Sequence, residues 1–150
     1  MPHSYSYCLF HCVWSTRARQ NAIPAAIQEH LWPYLGGIAR TNQFTALAVG
    51  GTSDHVHVLL SLPATVPVAK AVQLVKAGSS KWLHDTFAEM RHFAWQEGCG
   101  AFSIGFSQVE DTERYIARQA EHHAARTFEE EYVAFLRRHD IEYDARYVFE

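Results

Sequence analysis

A bilayer-spanning helix needs about 20 consecutive apolar residues, and no run in this chain of 150 residues approaches that length. Membrane association is therefore not expected. Cysteine is scarce as well: Cys8, Cys12 and Cys99 are odd in number and show none of the C-x-x-C spacing that holds zinc. Cys8 and Cys12 lie four apart in a stretch that reads as a strand, too far along it to bridge. Free thiols in a reducing compartment are expected. The opening Met1-Pro2-His3-Ser4 carries neither the basic nor the apolar region of an export signal, so the expectation is a cytoplasmic protein. Repeats, linkers and low-complexity segments are also missing. With 48% apolar residues the chain is not disordered in composition, and its length predicts one domain over 1–150 with a full core.

A basic surplus is absent too. The formal net charge is -3, and it is uneven: residues 1–109 carry 7 Lys/Arg against 5 Asp/Glu, whereas residues 110–150 carry 6 against 11. Nucleic-acid binding cannot rest on a global field. Any such contact must be a local patch, for which Arg17, Arg19, Lys70, Lys76 and Lys81 are the candidates.

What the chain does have is histidine, ten in all, and two of them stand in Ser53-Asp54-His55-Val56-His57-Val58-Leu59-Leu60. In a strand, side chains alternate between faces, so His55 and His57 share one face while Val56, Val58 and Leu60 share the other. The apolar set can enter a core and leave two imidazoles side by side on the open face. Neutral imidazole is the commonest metal ligand, and a rigid i, i+2 pair sets two nitrogens near each other before an ion arrives. Asp54 reads as a turn residue that can also accept a hydrogen bond from one of the histidines.

A second constellation lies at Thr112-Glu113-Arg114-Tyr115-Ile116-Ala117-Arg118-Gln119-Ala120-Glu121-His122-His123. Asp111 or Thr112 can cap it, acidic residues fill its first turn and no proline or glycine interrupts it, which predicts one helix. Tyr115 and Gln119 are four apart and share a face, and His122 and His123 follow on the next turn.

The other segments complete an architecture. Ser4 to Trp14 reads as a central strand with Tyr7, Leu9, His11 and Val13 on one face and Cys8, Phe10, Cys12 and Trp14 on the other. Pro24 to about Arg40 is helical in its apolar spacing, with Pro33 expected to kink or interrupt it. Phe44 to Val49 and His55 to Leu62 make a hairpin. Val68 to about Thr86 is a helix with Val72, Val75 and Leu83 on its apolar side. Lys76, Ser79, Ser80 and Lys81 cluster near Gly78 of that helix, a composition that suits a sugar-phosphate track or a solvated face. Ala101 to Phe106 is a last strand, Phe128 to Arg138 a last helix with Tyr132, Phe135 and Leu136 inward, and Asp140 to Glu150 a packed tail. The order βαββαβ followed by two helices predicts an α+β fold: a ferredoxin-like antiparallel sheet with helices on one face and a C-terminal tyrosine-bearing helix.

The His55-Val56-His57 strand followed by Tyr115-x-x-x-Gln119-x-x-His122-His123 resembles the single-tyrosine HUH transposases of the Insertion Sequence 200 type, including their relatives associated with repetitive extragenic palindromes (REP). Val13-Trp14-Ser15-Thr16-Arg17, Leu74-Val75-Lys76-Ala77-Gly78-Ser79-Ser80 and Trp95-Gln96-x-Gly98-x-Gly100-Ala101-Phe102-Ser103 extend the likeness over nearly the whole chain. Cys99 stands where the family often has an aromatic. The resemblance implies that His55, His57 and Gln119 hold a divalent metal, Mg²⁺ or Mn²⁺, and that Tyr115 cuts single-stranded DNA through a covalent 5′-phosphotyrosine link. It implies DNA hairpins as substrate, a homodimer that often exchanges the tyrosine helix, and no small-molecule cofactor. His122 and His123 are candidate accessory residues, and Arg17, Arg19, Lys76, Ser80 and Lys81 candidate DNA contacts.

A free phenol has a pKa of about 10 and is ionised to roughly one part in a thousand at neutral pH, so Tyr115 needs help to attack a phosphodiester. Two other readings stay open. One is a non-catalytic single-stranded nucleic-acid-binding module of the same fold, and the other a metal-dependent hydrolase of small molecules.

Overall fold

The computed structural model describes residues 5–150, so Met1 to Ser4, including the expected first residue of the opening strand, lie outside it. Four strands, β1 (Cys8–Ser15), β2 (Thr45–Gly51), β3 (His55–Leu62) and β4 (Gly100–Ile104), form one antiparallel sheet in the order β2-β3-β1-β4. The helices are α1 (Ala25–Thr41), α2 (Val68–Thr86), α3 (Val109–Ala117), α4 (Gln119–Ala125) and α5 (Phe128–Arg138). This is the ferredoxin-like α+β arrangement that the element order predicts. None of the described helices is long and apolar enough to cross a membrane.

Strand parity sorts the central strands cleanly. Cys12 and Trp14 of β1 and Val56, Val58 and Leu60 of β3 turn to one side, where α1 and α2 pack Leu31, Leu35, Val75 and Leu83 against them. Each such side chain contributes about 1.5–3 kcal/mol by leaving water. Pro33 does not break α1, contrary to the expectation: the helix runs unbroken through it. Pro33 is exposed, and the lost backbone hydrogen bond faces water. The cost, about 3 kcal/mol or more, is offset by the buried stripe Ile27, Leu31, Leu35 and Ala39.

The other face of the sheet is not open. It is covered by α3 and α5, where Val13 and Phe102 meet Phe128, Tyr132, Phe135 and Leu136. Helix α3 approaches β2 closely because residue 50 is glycine: a Cβ there would lie 2.5 Å from the Ile116 carbonyl oxygen. The tail closes the end of this layer, with Gly98 N–H and the Gln96 amide both donating to the Glu150 carbonyl, at 3.1 and 3.2 Å.

The expected single helix around Tyr115 is two helices. Arg118, with φ -106° and ψ 26°, leaves the helical conformation, and α4 starts afresh after it. A straight helix would carry a residue eight positions on from Tyr115 about 12 Å along its axis. With the break, Tyr115 lies against His57 and His123 against His55, so that both ends of the segment face β3.

Candidate active site

His55 and His57 are both 0% exposed, enclosed between β3 and the α3–α5 layer. Each imidazole is oriented through one nitrogen and leaves the other facing inward. His55 Nδ1–H donates to Asp54 Oδ1 at 2.7 Å, and the Thr52 hydroxyl donates to the same oxygen at 3.0 Å. Asp54 is thus both the turn residue and the acceptor that sets the His55 tautomer. Burial pushes the Asp54 carboxyl up, but the hydrogen bonds from His55 and Thr52 hold it below its usual value.

With its Nδ1 turned to Asp54, His55 points Nε2 inward, where it lies 3.0 Å from Gln119 Oε1. The Gln119 amide is fixed in that sense because its Nε2 donates to the Tyr115 carbonyl at 3.3 Å. In the tautomer whose Nδ1–H is given to Asp54, both Nε2 of His55 and Oε1 of Gln119 present lone pairs that can turn to one cation. The expected ligands His55 and Gln119 are therefore brought together, in an arrangement that fits a metal ion.

His57 contributes Nε2, which lies 2.9 Å from Glu131 Oε1, while its Nδ1 lies 2.8 Å from Nε2 of His11. Burial lowers the His57 pKa to about 4 and, with repulsion from His57, that of His11 to about 3. Both rings are neutral at physiological pH, the form that binds metals. His123 Nε2 reaches the same Glu131 oxygen at 3.1 Å. One donor atom each from His55, His57, His123 and Glu131 lies within 4.8 Å of the others. His122 does something else: its ring stacks on that of Tyr115, with centroids 4.4 Å apart.

Tyr115 stands beside this cluster, its ring centroid 5.7 Å from that of His57. Its hydroxyl donates to Glu131 Oε2. Burial, then the hydrogen bond to Glu131 and the charge of that carboxylate, raise the Tyr115 pKa to about 12. The phenol is partly exposed and borders a cavity of about 240 Å³ lined also by His11, Phe135 and Arg138. Tyr115 of α3 and Gln119 of α4 meet His57 and His55 of β3 across this layer.

The expected DNA contacts lie elsewhere and differ in availability. Arg17 is exposed. Arg19 pairs with Glu129 at 2.9 Å and lies over the Phe149 ring. Lys76 donates to the carbonyls of Gln96 and Gly98 at 2.9 and 2.6 Å, pinning the loop before β4. Burial lowers its pKa. Ser80 is half-buried, and Lys81 pairs with Asp85 at 2.6 Å on the surface.

Two residues of the site were not anticipated. Glu131 is one of three consecutive glutamates that complement the N-terminus of α5, and only its spacing from Phe128 and Phe135 marks it as inward. His11 lies on the Leu9 and Val13 face of β1, the face that His57 shares, and strand parity gives it no role by itself.

Residues 4–119 match the family described as IS200-like transposases. The ISDra2 transposase TnpA of Deinococcus radiodurans is 24% identical over 92 residues, which is 61% of this chain and 66%, just under two thirds, of that relative. Two solved structures share the fold. A candidate transposase from D. radiodurans R1 superposes with a TM-score of 0.65 at 19% identity, over 78% of this chain and 94% of that one. A REP-associated tyrosine transposase bound to a REP hairpin superposes with a TM-score of 0.60 at 14% identity, over 81% and 73% of the two chains.

Proposed function

Because the chain belongs to the family of IS200-like transposases, we propose that it is an HUH endonuclease and strand transferase that cuts and rejoins single-stranded DNA, with Tyr115 as the nucleophile. The observation that carries this reading is the placement of the Tyr115 hydroxyl beside the inward-facing atoms of His55, His57 and Gln119. His55, His57 and Gln119 would hold a divalent ion, Mg²⁺ or Mn²⁺. When bound, such an ion polarises the scissile phosphate and neutralises charge on its oxygens.

The chain's own residues do the rest. Asp54 accepts from His55 Nδ1 and orients the ring so that Nε2 faces inward, and the Gln119 amide is turned toward it by the Tyr115 carbonyl. His122 steadies the phenol ring by stacking. In the cleavage step the Tyr115 oxygen bonds to phosphorus and the phenol proton departs. The bond from phosphorus to the 3′ oxygen breaks, and that oxygen takes up a proton. The product is a 5′-phosphotyrosine and a free 3′-hydroxyl, and attack by another 3′-hydroxyl reverses the step without external energy.

The substrate is a single strand flanked by a hairpin, in keeping with the hairpin held by the REP-associated structural neighbour. Arg17, Arg19, Ser80 and Lys81 are its proposed contacts, with Lys76 acting through the loop it pins. The proposed compartment is the cytoplasm, and the proposed assembly a homodimer.

The test is incubation with Mn²⁺ and labelled single-stranded hairpins taken from the DNA flanking the gene, followed by denaturing electrophoresis. A denaturation-resistant adduct that maps to Tyr115 and disappears in Tyr115→Phe and His57→Ala is the expected result. Hairpin binding without an adduct under any of several divalent metals would replace this reading with the non-catalytic binding module.

A further inference from the structure

We propose that Glu131 is an additional, anionic ligand of the ion and that the same carboxylate holds the Tyr115 hydroxyl in register with it. The assignment rests on the transposase reading for the role of the ion and of the tyrosine. Everything else comes from the side chains of this chain.

Glu131 is 1% exposed. An ionised carboxylate removed from water carries a penalty of several kcal/mol unless it is well compensated. The hydrogen-bond partners of Glu131 are two imidazoles and a phenol: His57 Nε2 at 2.9 Å and His123 Nε2 at 3.1 Å on Oε1, and the Tyr115 hydroxyl on Oε2. These are hydrogen-bond donors and not a fixed cation. Oε1 also lies 3.7 Å from His55 Nε2, too far for a hydrogen bond. It is close to the separation of about 3–3.5 Å between two ligands that share one ion at about 2.1 Å. The carboxylate thus completes the cluster in which His55 Nε2 and Gln119 Oε1 already lie 3.0 Å apart.

The two oxygens of the group have different work. Oε1 turns to the imidazole nitrogens, and Oε2 to the nucleophile. A carboxylate is planar and rigid, so when Oε1 is held Oε2 is also placed, and with it the phenol. Helix α5 fixes the group from behind through the buried Phe128, Tyr132 and Phe135. Two neutral imidazoles and a neutral amide would hold a divalent ion weakly. A carboxylate adds charge attraction to the set, and imidazoles favour Mn²⁺ over Mg²⁺.

The test needs no DNA. The full chain is titrated with Mn²⁺, and free ion is read by its electron paramagnetic resonance signal. Glu131→Gln is expected to weaken binding about tenfold or more, and the exposed neighbour change Glu130→Gln to leave it within about twofold. If a folded Glu131→Gln binds Mn²⁺ as tightly as the unaltered chain, Glu131 is only a clamp between helices and the proposal is wrong. If that variant does not fold, crystals of the unaltered protein soaked in Mn²⁺ decide: an anomalous peak within bonding reach of Oε1 supports the assignment. A peak bonded to His55, His57 and Gln119 with Glu131 turned away overturns it. Adduct formation with unchanged Mn²⁺ affinity in Glu131→Gln removes Glu131 alone. Affinity lost in that variant, with no adduct ever formed by the unaltered chain, removes the transposase reading and keeps the ligand.

Discussion

The two faces of the sheet are made from alternate residues of the same strands, yet they are built to opposite requirements. On one, Cys12, Trp14, Val56, Val58 and Leu60 meet α1 and α2 in an apolar layer. On the other, His11, His55, His57, Gln119 and Glu131 are buried among α3, α4 and α5 with hydrogen bonds to one another. Burying polar groups is at best a small gain even when every bond is made, so the polar face does not hold the fold together unaided. The difference teaches that the larger apolar layer lies under α1 and α2, while the opposite layer joins a smaller apolar cluster to the polar site. Cys12 illustrates the dry side: burial pushes its thiol far above the usual range.

That division can be broken from either side. The largest effect is expected from Leu31→Ala under α1. Removing a fully buried leucine costs about 2–5 kcal/mol, read as a lower urea midpoint, and the variant's folded fraction is expected to keep forming the DNA adduct. Tyr115→Phe is the mirror case, with no adduct and a melting temperature within a few degrees of the unaltered chain. Equal destabilisation by both changes would show that the two layers share the structural task.

Acid should separate the faces next. His57 and His11, lowered from 6.5 to about 4 and about 3, are neutral in the folded metal-free protein. The unfolded chain binds protons first, so stability falls as pH drops below about 6.5 and continues to fall toward those values. At pH 5 the loss is on the order of 2 kcal/mol per histidine, measured by denaturant titration in a chelator. His57→Phe should flatten the profile.

Metal should act in the opposite direction. An ion at 100 times its dissociation constant stabilises the folded chain by about 2.7 kcal/mol, seen as a higher melting temperature with Mn²⁺ that His57→Ala abolishes. The smallest effect expected is from His11→Phe. With the ion on His57 Nε2, Nδ1–H has His11 Nε2 as its acceptor at 2.8 Å. Losing such a partner costs at least about tenfold in metal affinity, and a Mn²⁺ titration of this variant measures it.

Much of this was legible in the chain. The strand bearing His55 and His57 and the helices Val68–Thr86 and Phe128–Arg138 have the bounds that periodicity and punctuation indicate. The polar and apolar faces of β1 and β3 follow from parity alone. Pro33 misled because a proline on a helix's water-facing side removes a bond without removing the buried stripe behind it. The break at Arg118 was hidden because no glycine or proline marks it. Glu131 was hidden by its neighbours: Glu129 and Glu130 are solvent-facing acids at a helix N-terminus, and composition does not separate the third from them.

The sequence by itself determined most of the elements, the sidedness of the strands and the pairing of His55 with His57, because strand parity and helical period act between residues a few positions apart. Only the tertiary structure decided which groups those histidines meet. His11 lies 46 residues from His57 and Glu131 lies 74 residues from it. At such separations a side chain's partners are set by how α3, α4 and α5 pack across the sheet, and no local pattern records that packing.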